Sequence, residues 1–593
     1  MNSPIAISKK EIFLLLAIIG FFCLYIFWGN RLYHINVFTY QHYYNFRLKH
    51  VVLLAPGLFV FSLFVLSIFP PRVLDKPFNY VMNLQSRIFL PLIVLLFTAL
   101  TVAISILVFE GIPHIQDSIA QFFQAKIFAS GRIVAVPPEL GEFFDVQYII
   151  NDGEIWHGKY LFGQSLFLTL GIILKAPFII NPMLGGISLI LIYYFAKEMF
   201  DEKTSRLPLL LAFTSPFYVF MCSSYMSHVS SLFFITLCLL CLIRSYRIKK
   251  WYYPFLAGLS FGFAFNTKPL SLLVITSPFF LYSFITKRKR AIRGKDIFLF
   301  CMPVLILVSS FFLYNHILTG DYFTTPYAKD DPRDSLGFGP DKGEFFYFGD
   351  GTLPGHSLRK AIDNTKIYFV TLSTDLFGWP SLSLLFIFIL FSSLTRKKWD
   401  YLLLASIIFI VSGYFFYWGL GICLGARYFF ECMPMFLILT VRGIERVSEI
   451  LSKYASKNRL FKSVDMKEVV GFFVFFLCII NFLSYTPSRI SLYHDSYWNV
   501  NADIHNQVEE KGIKNALVFV ESQTYRKPHF GPDYYNAAFI YNSLDLNGEV
   551  VYARNLGMVK NTKLMAQYLS RNYYLFKKTG RAKGTLINLE IKK

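Results

Sequence analysis

Five ionisable residues stand at the ends of apolar stretches, where charge is costly and each one needs a chemical reason. Asp117 lies in Pro113-His-Ile-Gln-Asp117-Ser-Ile-Ala-Gln-Phe-Phe-Gln-Ala-Lys126, and Lys159 in Trp156-His-Gly-Lys159-Tyr-Leu-Phe-Gly163. His228 follows Tyr225-Met-Ser, Lys268 sits in Phe265-Asn-Thr-Lys268-Pro269, and Arg427 in Gly425-Ala-Arg427-Tyr428. One carboxylate with three cations suits transfer of a sugar from a lipid-bound phosphate. Lys159, Lys268 and Arg427 can hold that phosphate and stabilise the charge that develops as it leaves. Asp117, on the other side of the anomeric carbon, can take the proton of an acceptor hydroxyl. His228 is a further candidate for the site.

Each of these residues also has an ordinary explanation. Asp117 can be a helix N-terminal charge favoured by the dipole. Lys159, Lys268 and Arg427 can snorkel to lipid headgroups, although the face they occupy should be poor in positive charge. His228 can be a satisfied interfacial histidine. Glu139, Glu142, Asp145, Asp152 and Glu154 read as solvated loop charges.

The surrounding composition says what must position them. Of 593 residues, 55% are apolar and only 16% charged, too little charge to cover a soluble surface. Lipid is therefore the solvent for much of the chain. The net charge of +21 argues weakly for nucleic acid, because the basic residues sit in short runs between apolar stretches. That is how membrane proteins fix their orientation, so no nucleic-acid partner is expected. The eight cysteines lie in or beside apolar segments, which speaks against a disulfide framework or a zinc site. No metal ligand set is indicated, and a divalent-cation requirement is left open. Ile12–Trp28 lacks a small-residue cleavage site, so no cleavable signal peptide is expected.

Apolar segments near 12–28, 51–69, 88–109, 182–197, 207–222, 229–243, 253–267, 269–287, 297–318, 377–394, 402–420, 427–441 and 467–486 read as membrane spans. Tyr160–Ile180 is long enough to cross but carries Gly163, Gln164, Gly171, Lys175 and Pro177. If it stays on one side, the basic loops 197–206, 244–250, 287–295, 396–398 and 442–462 all share one face. This predicts an all-α polytopic protein of about thirteen spans, with an inside N-terminus. The outer face then holds the loops 110–181 and 319–376 and the tail 487–593. In the tail, Asn515–Val520 and Glu549–Ala553 read as strands and Thr562–Arg571 as a helix, a small α/β extracytoplasmic domain. The segment after the third span reads as an amphipathic helix with Ile115, Ile119, Phe122 and Phe123 toward lipid.

The motifs in this order resemble a known group. An outer-face helix with an early Asp is followed by Lys159-Tyr-x-x-Gly163 and Ser227-His228. Then come Gly258-Leu-Ser-Phe-Gly262-Phe-Ala264-Phe-Asn-Thr267-Lys268-Pro269, and late Gly425-Ala-Arg427-Tyr428 with Pro434. The sequence is similar to the GT-C superfamily of membrane glycosyltransferases, in the broad branch of protein O-mannosyltransferases and lipid A aminoarabinose transferases. Thr371-Leu-Ser-Thr-Asp375-Leu-Phe-Gly-Trp-Pro380 also resembles bacterial members of that branch. The likeness covers residues 88–486, leaving 1–87 as two additional N-terminal helices and 487–593 as a separate domain. It implies an inverting enzyme of the cytoplasmic membrane that uses a polyprenyl-phosphate-linked sugar, with Asp117 as base and Lys159 and Arg427 on the donor phosphate. The acceptor can be a lipid, a glycan or a protein. The chain departs from protein mannosyltransferases in having Gln116-Asp117 where they carry an acidic pair.

Two other functions fit part of the pattern. A transporter or flippase of lipid-linked glycan would place charges mid-membrane, whereas here they cluster at span ends. A glycan polymerase or ligase of the O-antigen type would use a basic outer loop, for which Lys342, Arg359, Lys360 and Lys366 are candidates.

Overall fold

The computed structural model describes residues 54–68, 72–286, 293–343, 355–392, 396–457, 464–521, 534–580 and 583–589. The first expected span, 12–28, lies outside them. The chain is mostly helical, because in an apolar solvent only intrahelical hydrogen bonds satisfy the backbone. Among the described residues six helices are long and apolar enough to cross a membrane: Ser86–Leu107, Pro177–Lys197, His228–Ile248, Gly294–Thr319, Lys398–Phe415 and Met466–Asn499. A seventh span arises if Glu202–Thr214 and Pro216–Ser223, bent by 68° at their break, count as one. The bend has a local cause. Pro216 cannot continue the preceding helix, and the Ser215 hydroxyl caps the new one by accepting from the Tyr218 N–H at 3.1 Å.

Other apolar helices are shorter. Phe162–Ile173 has 12 residues, about 18 Å at the usual rise, against a hydrocarbon core of about 30 Å. Among the described residues of the expected span 377–394, only Leu385–Ser392 is helical. The missing turns trace to Gly378, whose φ is +68° and where a Cβ would strike the Asn481 side chain, and to Pro380 two residues later. Cys238 and Cys241 have the C-x-x-C spacing but are free, buried thiols inside the His228–Ile248 helix.

The basic loops gather at one end of the bundle. Glu198 binds Arg244 at 2.8 Å and Arg247 at 2.9 Å, and Arg247 lies over the Trp399 ring. Arg293 donates to the Lys249 carbonyl at 3.2 Å, while Lys397 and Arg442 both cover Phe200. Glu202, Arg206 and Ser86 tie the preceding turn to this group.

The opposite end carries the tail domain. Its four-stranded sheet runs Val550–Arg554, Ala516–Val520, Asn572–Lys578, Gly584–Asn588, with the first three parallel and the last antiparallel. The tail helix spans Met558–Met565, not Thr562–Arg571. Gly557, with φ 90°, starts it early, and Asn572 already belongs to a strand. The sheet packs onto the helix Gln116–Ala129, whose Ile119 and Phe123 are buried against it. These two side chains therefore face protein, not lipid as their amphipathic spacing suggested. Phe539 meets Phe123 at 5.5 Å and Trp156 at 5.9 Å. Lys126 donates to the carbonyls of Ile540 at 2.5 Å and Asn542 at 2.9 Å. Burial pulls its ammonium down to about 8.

This docking predicts that Phe539→Ala, by emptying a buried aromatic site, costs about 3–5 kcal/mol. The melting temperature of the purified full chain should fall; an unchanged one would mean that the tail does not rest on this helix.

Candidate active site

The site is assembled at the tail end of the bundle from four stretches distant in sequence. The first is the helix Gln116–Ala129. Ser118 fixes its start by accepting from the Ile115 N–H at 3.3 Å and donating to the Ile115 carbonyl at 2.7 Å. Asp117 thus falls in the first turn, where a negative charge meets the helix dipole favourably. The second is the hairpin Ile149–Asn151 with Trp156–Gly158, which delivers Lys159 and Tyr160. The Gly158 N–H donates to Gln124 Oε1 at 3.0 Å, holding the hairpin to the first helix.

The third stretch is the Asn266-Thr267-Lys268-Pro269 turn. The Gly163 N–H donates to the Asn266 carbonyl at 2.9 Å, and a Cβ on Gly163 would sit 2.1 Å from Thr267 Oγ1. Glycine is therefore required where the two motifs touch. The fourth is Arg427, at the start of a 3-10 turn over Arg427–Cys432. Gly425 before it has φ +117° and presses on the Phe217 ring, where a Cβ would come within 2.6 Å.

These elements bring Asp117, Tyr160, Lys268 and Arg427 together, and His228, at the start of the His228–Ile248 helix, lies within the field of Lys268 and Arg427. Arg427 Nη1 lies 3.2 Å from Asp117 Oδ2. The Tyr160 hydroxyl donates to the same carboxylate, and Lys268 adds its field. Burial works against the Asp117 charge, but Arg427, the Tyr160 bond and Lys268 outweigh it and hold the carboxyl below its ordinary range. The Arg427 guanidinium covers the Tyr428 ring at 5.3 Å. Tyr428 stacks on Tyr414 at 4.4 Å, and the Tyr414 hydroxyl meets Ser271 Oγ at 2.9 Å. Behind this row His228 Nδ1 lies 3.0 Å from Glu431 Oε1, with both side chains buried. Chemically, the cluster offers one ionised carboxylate beside two cations, with a hydroxyl donor that fixes the carboxylate's orientation.

Lys159, next to Tyr160, is paired with two carboxylates of the outer loop. Its ammonium is 2.9 Å from Asp330 Oδ2 and 3.1 Å from Asp334 Oδ2, and only 1% of its side chain is exposed. Tyr148 lies under it at 4.4 Å. The loop carboxylates read as solvated are partly used in ties: Glu142 binds Lys560 at 2.6 Å, Glu139 accepts from Gln567 at 2.8 Å, and Asp152 binds Lys329 at 2.5 Å. The Lys329 bond and the backbone N–H groups of Glu154 and Ile155 overcome desolvation and bring Asp152 down to about 2. Lys342 contacts Ser335 and Asp341, Lys360 lies over Trp418, and Lys366 pairs with Asp363. Asp375 of the Thr371–Pro380 stretch binds Arg489 at 3.4 Å, and Trp379 is fully buried. That stretch is a packing junction. Among the described residues, no group of three His, Cys, Asp or Glu side chains is arranged to hold a metal ion.

The solved structure of ArnT from Cupriavidus metallidurans bound to undecaprenyl phosphate has a similar fold: TM-score 0.51, 10% identity, covering 82% of this chain and 93% of that one. The profile of the dolichyl-phosphate-mannose-protein mannosyltransferase family matches residues 160–314. Over most of its length the chain shares the fold of that ArnT structure. The matched stretch holds Tyr160, Gly163, His228 and Lys268, while Asp117 and Arg427 lie outside it. Apo ArnT from the same organism gives a TM-score of 0.47 at 11% identity, over 82% of this chain and 97% of that one. The apo oligosaccharyltransferase of Archaeoglobus fulgidus gives 0.43 at 12% identity, over 83% and 70%. No curated protein matches the chain.

Glu431 is the part of the site that sequence reasoning missed. It stands in Tyr428-Phe-Phe-Glu431-Cys-Met, a carboxylate inside an apolar run. The rule that singled out Lys268 and Arg427 applies equally to it. Its bond to His228 yields a prediction. Glu431→Gln keeps an acceptor for His228, whereas Glu431→Ala leaves a buried ring nitrogen without one, at about 1–3 kcal/mol. The melting temperature should drop clearly more for Ala than for Gln; equal values would contradict the pairing.

Proposed function

We propose that this chain is an inverting glycosyltransferase, moving a sugar from a polyprenyl-phosphate-linked donor to a lipid, glycan or protein acceptor. Its site faces outward from the cytoplasmic membrane, with about thirteen spans, the basic loops and N-terminus inside and the tail domain outside. The observation that carries this reading is the convergence of Asp117, Lys268 and Arg427 at the end of the bundle opposite the basic loops. The ArnT structure of similar fold was solved with undecaprenyl phosphate, a lipid of the donor class proposed here.

The chemistry is a single displacement. Asp117 takes the proton of the acceptor hydroxyl, and the acceptor oxygen forms a bond to the anomeric carbon as the bond to the phosphate oxygen breaks. The electron pair leaves with polyprenyl phosphate, whose charge grows from one to two. Lys268 and Arg427 stabilise that added charge in a setting of low dielectric. Tyr160 keeps the base oriented, and the His228–Glu431 pair supports the backbone from which Arg427 projects.

Replacing Asp117 with Asn removes the base with little change of shape and should slow transfer about 10²- to 10⁴-fold. Envelope glycans and lipids are compared by mass spectrometry in a host lacking the gene, complemented with either form at matched membrane levels. A sugar-mass increment seen only with wild type supports transfer and identifies the acceptor; equal profiles would sink the assignment. The acid limb of the pH–rate profile should lie below the ordinary aspartate value, because Asp117 stays ionised there. Arg427→Gln removes a cation that favours the carboxylate, so the limb should move to higher pH.

A further inference from the structure

At the root of the tail domain the chain turns back onto the loop that carries Arg427. Three non-glycine residues there adopt left-handed backbone: Ser496 at φ 50°, Trp498 at φ 59° and Asn499 at φ 57°. Asparagine tolerates that region, whereas tryptophan enters it only where its surroundings hold it. Between them Tyr497 reaches the facing loop. Its hydroxyl accepts from the Leu424 N–H at 3.4 Å and lies 3.5 Å from Cys423 Sγ. Leu424 is itself buried and left-handed, with φ 56°. A buried N–H needs a partner, and the tyrosine supplies it.

The same turn fixes the backbone of Arg427. The Gly425 carbonyl accepts from the N–H groups of Cys423 at 2.9 Å and Arg427 at 3.0 Å, and the Gly421 carbonyl accepts from Arg427 at 3.0 Å. Leu424 is closed inside these bonds. On its other side the root is tied to the folded tail. Asn501 Nδ2 donates to Ser496 Oγ at 2.9 Å, and Tyr534 Oη donates to Asn501 Oδ1 at 3.4 Å. The Ala502 N–H donates to Glu110 Oε2 at 3.1 Å, shortly before the helix that carries Asp117.

We propose that Tyr497 is a positioning residue for the transfer: its hydroxyl holds the strained turn at Leu424 and so aims the Arg427 guanidinium at Asp117 from the root of the tail. The inference rests on the transferase reading of the Asp117 site. It gives the tail a hold on the second member of the pair, besides the Asp117 helix already described. The Tyr497 ring also packs against Tyr493 at 4.8 Å, and the test separates that role from the hydroxyl's.

Tyr497→Phe keeps the ring and takes away the oxygen that accepts from Leu424. Membranes of the expressing host supply their own lipid-linked sugar and acceptor, and the sugar-mass product is followed against pH at matched protein levels. The rate near neutral pH should fall about 10- to 100-fold, the loss expected of a misplacement of about 1 Å. The acid limb should move up by about one pH unit, because a cation drawn away from a carboxylate no longer favours its charged form. Lys268 and the Tyr160 hydroxyl still favour that form, and Tyr327, Tyr428 and the Cys423 thiol lie in the same field. Electron cryo-microscopy of Tyr497→Phe should show Arg427 out of bonding distance of Asp117 Oδ2, against 3.2 Å in the unaltered chain. An acid limb at the wild-type position with the Asp117–Arg427 pair intact would overturn the proposal, however far the melting temperature falls. If membranes carrying wild type transfer no sugar, the transferase reading fails instead. The Asp117–Arg427 distance in Tyr497→Phe then still decides whether the tyrosine aims the arginine.

Discussion

The Asp117–Arg427 pair, 3.2 Å apart at one end of an apolar bundle, is the interaction on which the rest of the site depends. Burial costs each charge part of its hydration, and Asp117 stays ionised because Arg427, with Tyr160 and Lys268, offsets that cost. The pair joins the first turn of the Gln116–Ala129 helix to the 3-10 turn at Arg427, and everything between them has to bring those two turns together. The Gly163 contact with the Asn266–Thr267 turn sets Lys268 beside them. The His228–Glu431 bond anchors the Arg427 turn from below. The same compensation suits the proposed displacement, which needs a carboxylate kept ionised and a cation with bonding capacity left over.

The tail domain follows from the same constraint at the level of packing. A helix lying across the end of a bundle exposes one face that neither the bundle nor water can satisfy. Here Ile119, Phe123 and Trp156 are covered by Phe539 and the sheet. Lys126 supplies the polar component by donating to two tail carbonyls, and Arg554 Nε donates to the Asp145 carbonyl at 2.6 Å. The tail thus holds the helix that carries Asp117 in place, which gives it a structural role.

Much of this was legible in the sequence because charge in an apolar run is conspicuous. Asp117, His228, Lys268 and Arg427 all stood out that way, and the structure brings them to one place. Glu431 escaped because its aromatic neighbours read as the start of a span. The partners of Lys159 were not legible at all: Asp330 and Asp334 lie in a polar loop where every acidic residue reads as solvated, and no local pattern shows that they fold back onto a distant lysine. The periodicity of Ile119 and Phe123 gave an apolar face correctly, but periodicity does not say whether lipid or protein covers it. The tail strands were visible as runs such as Ala516–Val520, whereas their order in the sheet is set by contacts far apart in the chain.

The most direct test is to locate the phosphate. Electron cryo-microscopy of the full chain in nanodiscs loaded with polyprenyl monophosphate would show where the headgroup sits. The account predicts phosphate density within hydrogen-bond reach of Lys268 and Arg427, on the far side from the Tyr160 contact to Asp117. Phosphate density elsewhere, with none near Lys268 and Arg427, would contradict it.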